Sequence, residues 1–132
     1  MGPAAGRPAV RVGEHDWGRM EWLVEEESAP GAGFSLARMV LNPGMATPTH
    51  RHPNCHEALT LLEGSVIERL DGDEHALSPG QTFLAPAGAA HGLRNTGDAP
   101  ARMMVVYSAG RRLFETVPEP PAAGPPPRQP AS

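Results

Sequence analysis

The stretch Gly44-Met-Ala-Thr-Pro-Thr-His-Arg-His-Pro-Asn-Cys-His-Glu-Ala-Leu-Thr-Leu-Leu-Glu-Gly64 decides how this chain is read. Three of the chain's six histidines fall in it, at His50, His52 and His56, and Glu57 follows at once. Along a strand, side chains two positions apart emerge on one face, so His50 and His52 can aim at a common point. Two imidazoles and a carboxylate are a good ligand set for a divalent transition metal. A third imidazole is available from a second stretch, Gly80-Gln-Thr-Phe-Leu-Ala-Pro-Ala-Gly-Ala-Ala-His-Gly-Leu-Arg-Asn95, where His91 stands just past the turn Pro86-Ala-Gly88.

Around these stretches the chain reads as short strands cut by turn residues. Phe34–Leu41 has strand length and composition and stops at Asn42-Pro43-Gly44. Ala58–Leu62 stops at Glu63-Gly64, and Ser65–Leu70 meets Asp71-Gly72-Asp73, a strong hairpin signal. Thr82–Ala85 lies between Ser78-Pro79-Gly80 and Pro86, and Met103–Tyr107 closes the series. Gly and Pro total 31 of 132 residues, which weighs against helix. Short strands at this spacing predict an all-β domain, an antiparallel sandwich or barrel. That domain spans 10–117. Residues 1–9 read as a flexible start. The tail 118–132, with seven prolines and no large apolar side chain, reads as disordered. The acidic run Glu25–Glu27 reads as a solvated turn.

The two stretches resemble the paired motifs of the cupin family position by position. Gly44, five residues, His50-Arg-His52, four residues, Glu57, six residues and Gly64 match the first motif. Gly80, five residues, Pro86-Ala-Gly88, two residues, His91, three residues and Asn95 match the second, after a spacer of fifteen residues. The resemblance implies a single antiparallel β-barrel, or jelly roll, with a metal near one mouth held by His50, His52, Glu57 and His91. His56 is the alternative to Glu57, because the family tolerates three or four residues in that gap; only Glu57 keeps the six-residue spacing to Gly64. The resemblance also implies a homodimer paired through outer sheet faces, for which the apolar stretch Trp17–Val24 is a candidate. Asn95 is expected to close a turn.

Four protein ligands on a six-coordinate ion leave two positions for water, substrate or O₂. Iron(II), manganese(II), nickel(II), copper(II) and zinc(II) all accept this set. The function expected is a metal-dependent enzyme on a small organic molecule: dioxygenase, isomerase, cyclase or decarboxylase. The alternative is a non-catalytic small-ligand-binding module; an enzyme needs open metal positions beside a substrate-sized cavity, which a binder does not. Arg38 and Tyr107, on strands, are candidates to hold a carboxylate or enolate. Met20, Met39, Met103 and Met104 are candidates for an apolar wall. Cys55 reads as a small buried hydrophobe, and His15 and His75 as solvent-exposed.

Several classes are excluded by composition. The eleven basic residues are all arginine, so Schiff-base chemistry and lysine-dependent phosphate loops are absent. A net charge of −4 with no basic run gives no nucleic-acid footprint. One cysteine makes no internal disulfide. Without a signal peptide or an apolar run near 18 residues, the expectation is a cytoplasmic protein with no membrane partner.

Overall fold

The computed structural model describes residues 6–118. Most of the start at 1–9 and nearly all of the tail at 118–132 lie outside the described residues. Eleven strands follow one another: β1 (Arg11–His15), β2 (Gly18–Val24), β3 (Ser35–Leu41), β4 (His50–Arg51), β5 (Glu57–Glu63), β6 (Val66–Leu70), β7 (Asp73–Leu77), β8 (Thr82–Ala85), β9 (His91–Asn95), β10 (Ala101–Tyr107) and β11 (Glu115–Thr116). They form a six-stranded sheet, β1-β2-β3-β10-β5-β8, and a five-stranded sheet, β11-β4-β9-β6-β7, with every pairing antiparallel. This is the expected jelly-roll arrangement; the two sheets share one core without hydrogen-bonding into a closed cylinder. No helix is long and apolar enough to cross a membrane.

Alternation builds the core. On β3, Ser35, Ala37, Met39 and Leu41 are buried while Leu36, Arg38 and Val40 face out; on β10, Ala101, Met103, Val105 and Tyr107 are buried. β2 supplies Met20 and Trp22, β5 supplies Leu59 and Leu61, and the other sheet answers with Val66, Leu77 and Leu93. Each fully buried Leu, Val or Met contributes about 1.5–3 kcal/mol. Cys55 is in this core, as its small apolar character suggests.

Turns close the strands as their residues dictate. Asp71 and Gly72 form a two-residue loop with φ of 49° and 91° between β6 and β7, the doubly positive geometry that matches hairpin twist. At Gly64 (φ 102°) any Cβ would lie 2.9 Å from the Ala101 Cα, so close strand approach also demands glycine there. Asn95 is buried and does close a turn: its Nδ2 donates to Leu41 O and Ala99 O, both at 2.9 Å, and its Oδ1 accepts from Gly97 N at 2.8 Å.

The stretch Trp17–Val24 is not an apolar outer surface. Met20 and Trp22 turn inward, and the outward positions are Arg19 and Glu21, which pair with each other at 2.9 Å. The apolar outer row of this sheet meets that stretch only at its end, where Val24, Leu36, Val106, Ala58 and Leu84 stand side by side across β2, β3, β10, β5 and β8.

Candidate metal centre

The short strand β4 carries His50, and the cross-strand partner of His50 is His91, the first residue of β9. His52 lies just past the end of β4. Alternation persists through it, since His50 is half-buried, Arg51 exposed and His52 buried. Glu57 opens β5 opposite Tyr107 on β10, in the inward row with Leu59 and Leu61. These four side chains converge: one ligand atom from each of His50, His52, Glu57 and His91 lies within 4.8 Å of the others. His56 is not among them. It is exposed, and its Nδ1 accepts a hydrogen bond from Ala87 N at 2.9 Å.

Backbone carbonyls fix all three rings. His50 Nδ1 donates to Pro48 O at 2.7 Å, His52 Nδ1 to Leu113 O at 2.9 Å and His91 Nδ1 to Ala89 O at 3.1 Å. A carbonyl only accepts, so each Nδ1 carries its proton, and in the neutral ring each Nε2 offers a lone pair inward. Two of these lone pairs face a carboxylate. Glu57 Oε1 lies 3.1 Å from His52 Nε2 and 3.0 Å from His91 Nε2. Acceptors at that separation require a shared cation, either protons or a metal. Neighbouring ligands at right angles on an ion bound at about 2.1 Å would themselves stand roughly 3 Å apart, so the residues present fit a metal.

Electrostatics agree with that fit. Burial pushes the His50 ring down to about 4, which keeps it neutral and able to ligate at neutral pH. Burial alone would raise Glu57, but His52 and His91 outweigh it and hold the carboxyl well below the usual carboxylate range. For His91, burial lowers the ring's proton affinity and Glu57 more than restores it, so the net direction is upward. Burial pushes the Cys55 thiol and the Tyr107 phenol up, leaving both neutral.

Beside the four ligands opens a cavity of about 270 Å³. Trp17 and Phe114 give it aromatic walls, Met20, Met39, Leu59 and Leu93 aliphatic ones, and Tyr107, Glu68 and Arg112 polar points. The segment after β10 caps the site. Phe114 stacks on His50 with ring centroids 4.7 Å apart, and Asn54 pins the segment through Arg111 O at 2.9 Å and Leu113 N at 2.8 Å. The Arg112 guanidinium lies 4.9–5.3 Å from the rings of Trp22, Tyr107 and Phe114. A larger groove, about 670 Å³, lies on the other side of Arg112 and Phe114 and is lined by Arg11, Glu25, Glu27 and Arg111, which pair as Arg11–Glu25 and Arg111–Glu27.

Arg38 is not in the cavity. It points out from β3, and its Nε donates to Glu21 Oε1 at 2.6 Å. With Ala37 and Met39 inward, strand alternation leaves Arg38 no other side. Tyr107 does line the cavity, 5.1 Å from the His52 ring. Of the four methionines, Met20 and Met39 form wall; Met103 is fully buried core and Met104 is half-buried with its face outward. His75 is exposed, as is His15, which nonetheless stacks on Trp17 at 4.5 Å on the cavity's rim. Reading the sequence missed Glu68, Trp17, Phe114 and Arg112. For Glu68 a signal existed: in Val66-Ile67-Glu68-Arg69-Leu70, period two puts the acid in the apolar row. For Arg112 and Phe114, which follow the last long strand, no local pattern marks the fold-back.

The chain is similar to known proteins in sequence and in structure. The chain is 34% identical over 124 residues to the tetracenomycin polyketide synthase protein TcmJ of Streptomyces glaucescens, covering 89% of this chain and 83% of that protein. It is also 34% identical to germin-like protein 1 of Brassica napus, over 60% of this chain but only 41% of that one. Among solved structures, a recombinant oxalate oxidase in complex with glycolate superposes with a TM-score of 0.72 at 21% identity, covering 85% of this chain and 62% of the other. The family model described as "Cupin domain" matches residues 37–107, which contain both histidine stretches and the strands that carry them. The chain therefore belongs to the cupin family.

Proposed function

We propose that the protein is a metal-dependent enzyme acting on a small, planar, oxygen-rich organic molecule of the polyketide type, by cyclisation or isomerisation. The observation that carries this reading is the cavity itself: four inward-facing ligands adjoin a space walled by Trp17, Phe114 and the two methionines. His50, His52, Glu57 and His91 would hold one divalent transition metal, which supplies a Lewis acid for a carbonyl or enolate oxygen. Around it the chain's own groups divide the work. Trp17 and Phe114 take the ring faces of the substrate, and Met20 and Met39 adapt to its edge. Arg112 has no carboxylate partner among the described residues and supplies positive charge at the cavity wall, where an enolate would gain from it. The name of the Streptomyces relative supports the substrate class. A binding module would not need free ligand positions beside such a space.

Turnover of an aromatic-polyketide precursor, such as a poly-β-keto thioester, tests this reading. The protein is stripped and reloaded with one metal at a time, and products are followed by mass spectrometry. Turnover that needs metal and disappears in His91→Ala is expected; turnover indifferent to both would overturn it. As part of the same reading, two copies pair through the apolar row Leu36, Ala58, Leu84 and Val106, where Leu84 is 58% exposed. Light scattering checks this, with Leu84→Arg expected to give the monomer mass.

A further inference from the structure

The cavity holds a second acid besides Glu57. Glu68 sits mid-strand on β6, and alternation sends it inward with Val66. It is 2% exposed and lines the same space as His50, Glu57 and His91. Burial and the charges of Glu57 and His91 act on its carboxyl, and no hydrogen bond or ion pair from any described residue reaches it. The Tyr107 hydroxyl is in the same condition, and the neighbouring walls, Leu93 among them, are apolar. A buried carboxyl without a partner costs free energy even when neutral, about 1–3 kcal/mol. The fold gains nothing from it, so its partner comes from outside.

Resting on the reading above, we propose that Glu68 is the ligand-anchoring residue of the cavity: its carboxyl hydrogen-bonds a hydroxyl or carbonyl group of an uncharged, ring-bearing ligand that lies between Trp17 and Phe114. The class follows from the surroundings. Flat aromatic walls select a ring, and the anionic Glu57 nearby disfavours a carboxylate at this end. A lone acid in an apolar wall is satisfied by one oxygen function. Burial holds the Glu68 carboxyl up at about 8, so near neutral pH it keeps its proton and can donate as well as accept.

Binding of 2-naphthol and of naphthalene, followed by tryptophan fluorescence in metal-free and zinc-loaded protein, tests the proposal. Wild type should bind 2-naphthol about tenfold more tightly, the value of one buried hydrogen bond. Glu68→Leu should bring the two ligands within about twofold of each other while unfolding at the same or a higher temperature, because an unpaired buried acid has been removed. Glu68→Gln, whose amide both donates and accepts, should keep part of the preference; Glu68→Met serves as a second apolar variant. An unchanged preference in both apolar variants, or no binding of 2-naphthol to wild type, would overturn the anchor. Zinc uptake on the same samples separates the two readings. Normal uptake with an unchanged preference sinks the anchor alone, whereas absent uptake with a Glu68-dependent preference sinks the metal centre alone.

Discussion

Two carboxyls sit on the inner walls of one cavity, and the regions that hold them differ in a single respect. Glu57, at the start of β5, is met by two imidazoles at 3.0 and 3.1 Å; Glu68, in the middle of β6, receives no hydrogen bond or ion pair from any described residue. Both are buried, at 7% and 2% exposure. Burial raises the proton affinity of each, yet the first is driven down by its partners and the second stays up at about 8. Burial by itself therefore does not set the charge of an acid; the partners do. One side of the cavity keeps negative charge beside two imidazoles, and the other keeps a neutral acid. Opposed environments for a pair of acids are the usual way that one site separates two roles.

The harshest way to break this contrast is to remove an imidazole. His91→Ala should cut bound metal to a small fraction of wild type, by elemental analysis, while the circular dichroism of the strands persists, because core burial and not the ion supplies most of the stability. Full occupancy in that variant would mean that the cluster is no metal centre.

The comparison sharpens next at Glu57 itself. Glu57→Gln should weaken metal binding by at least the 10- to 100-fold typical of changes even to second-sphere partners, and should alter the visible spectrum of the cobalt(II) form. His56→Gln should change neither by more than about twofold, since His56 points away to Ala87 N. A spectrum sensitive to His56 and indifferent to Glu57 would reverse the assignment.

Opposite signs of pH dependence follow in metal-free protein. Glu68 has a folded value near 8 against an ordinary 4.5, so the folded state binds the extra proton between those limits. Its contribution to stability is full below pH 4.5 and lost as pH rises through 8, with a slope of up to about 1.4 kcal/mol per pH unit. Glu57, held low, and His50, held at about 4 against 6.5, act the other way and cost stability as pH falls. Denaturant midpoints of Glu68→Gln minus those of wild type should therefore rise from pH 5 to pH 8; a flat difference would show that Glu68 is not a buried neutral acid. The smallest effect belongs outside the cavity. Arg38→Ala removes an exposed pair with Glu21 and should cost less than about 1 kcal/mol by chemical denaturation, with 2-naphthol affinity unchanged.

What was legible in the sequence divides along the same physical line. Strand-length segments bounded by turn residues marked β3, β5, β6, β8 and β10. Spaced ligands and turn glycines marked the metal cluster. β1 and β7 are exposed edges with polar side chains, and their burial patterns contain almost nothing for alternation to register. Arg38 was misplaced because a polar residue on a strand was weighed by its chemistry before its face. Glu68 was missed for the converse reason: Ser65–Leu70 reads as a strand from the turn that ends it, which leaves the face of its acid unassigned. Phe114 and Arg112 reach the site only because the chain after β10 folds back, a tertiary fact that no local pattern holds.

That fold-back has a consequence for how the protein is made. His52 is oriented by the carbonyl of Leu113, 61 residues later in the chain, and β11 joins the sheet by pairing with β4. A growing chain thus releases His50, His52 and Glu57 well before the group that aims one of them. An ion offered before that would meet a freely turning His52; the aimed set of side chains exists only once Leu113 and β11 are in place.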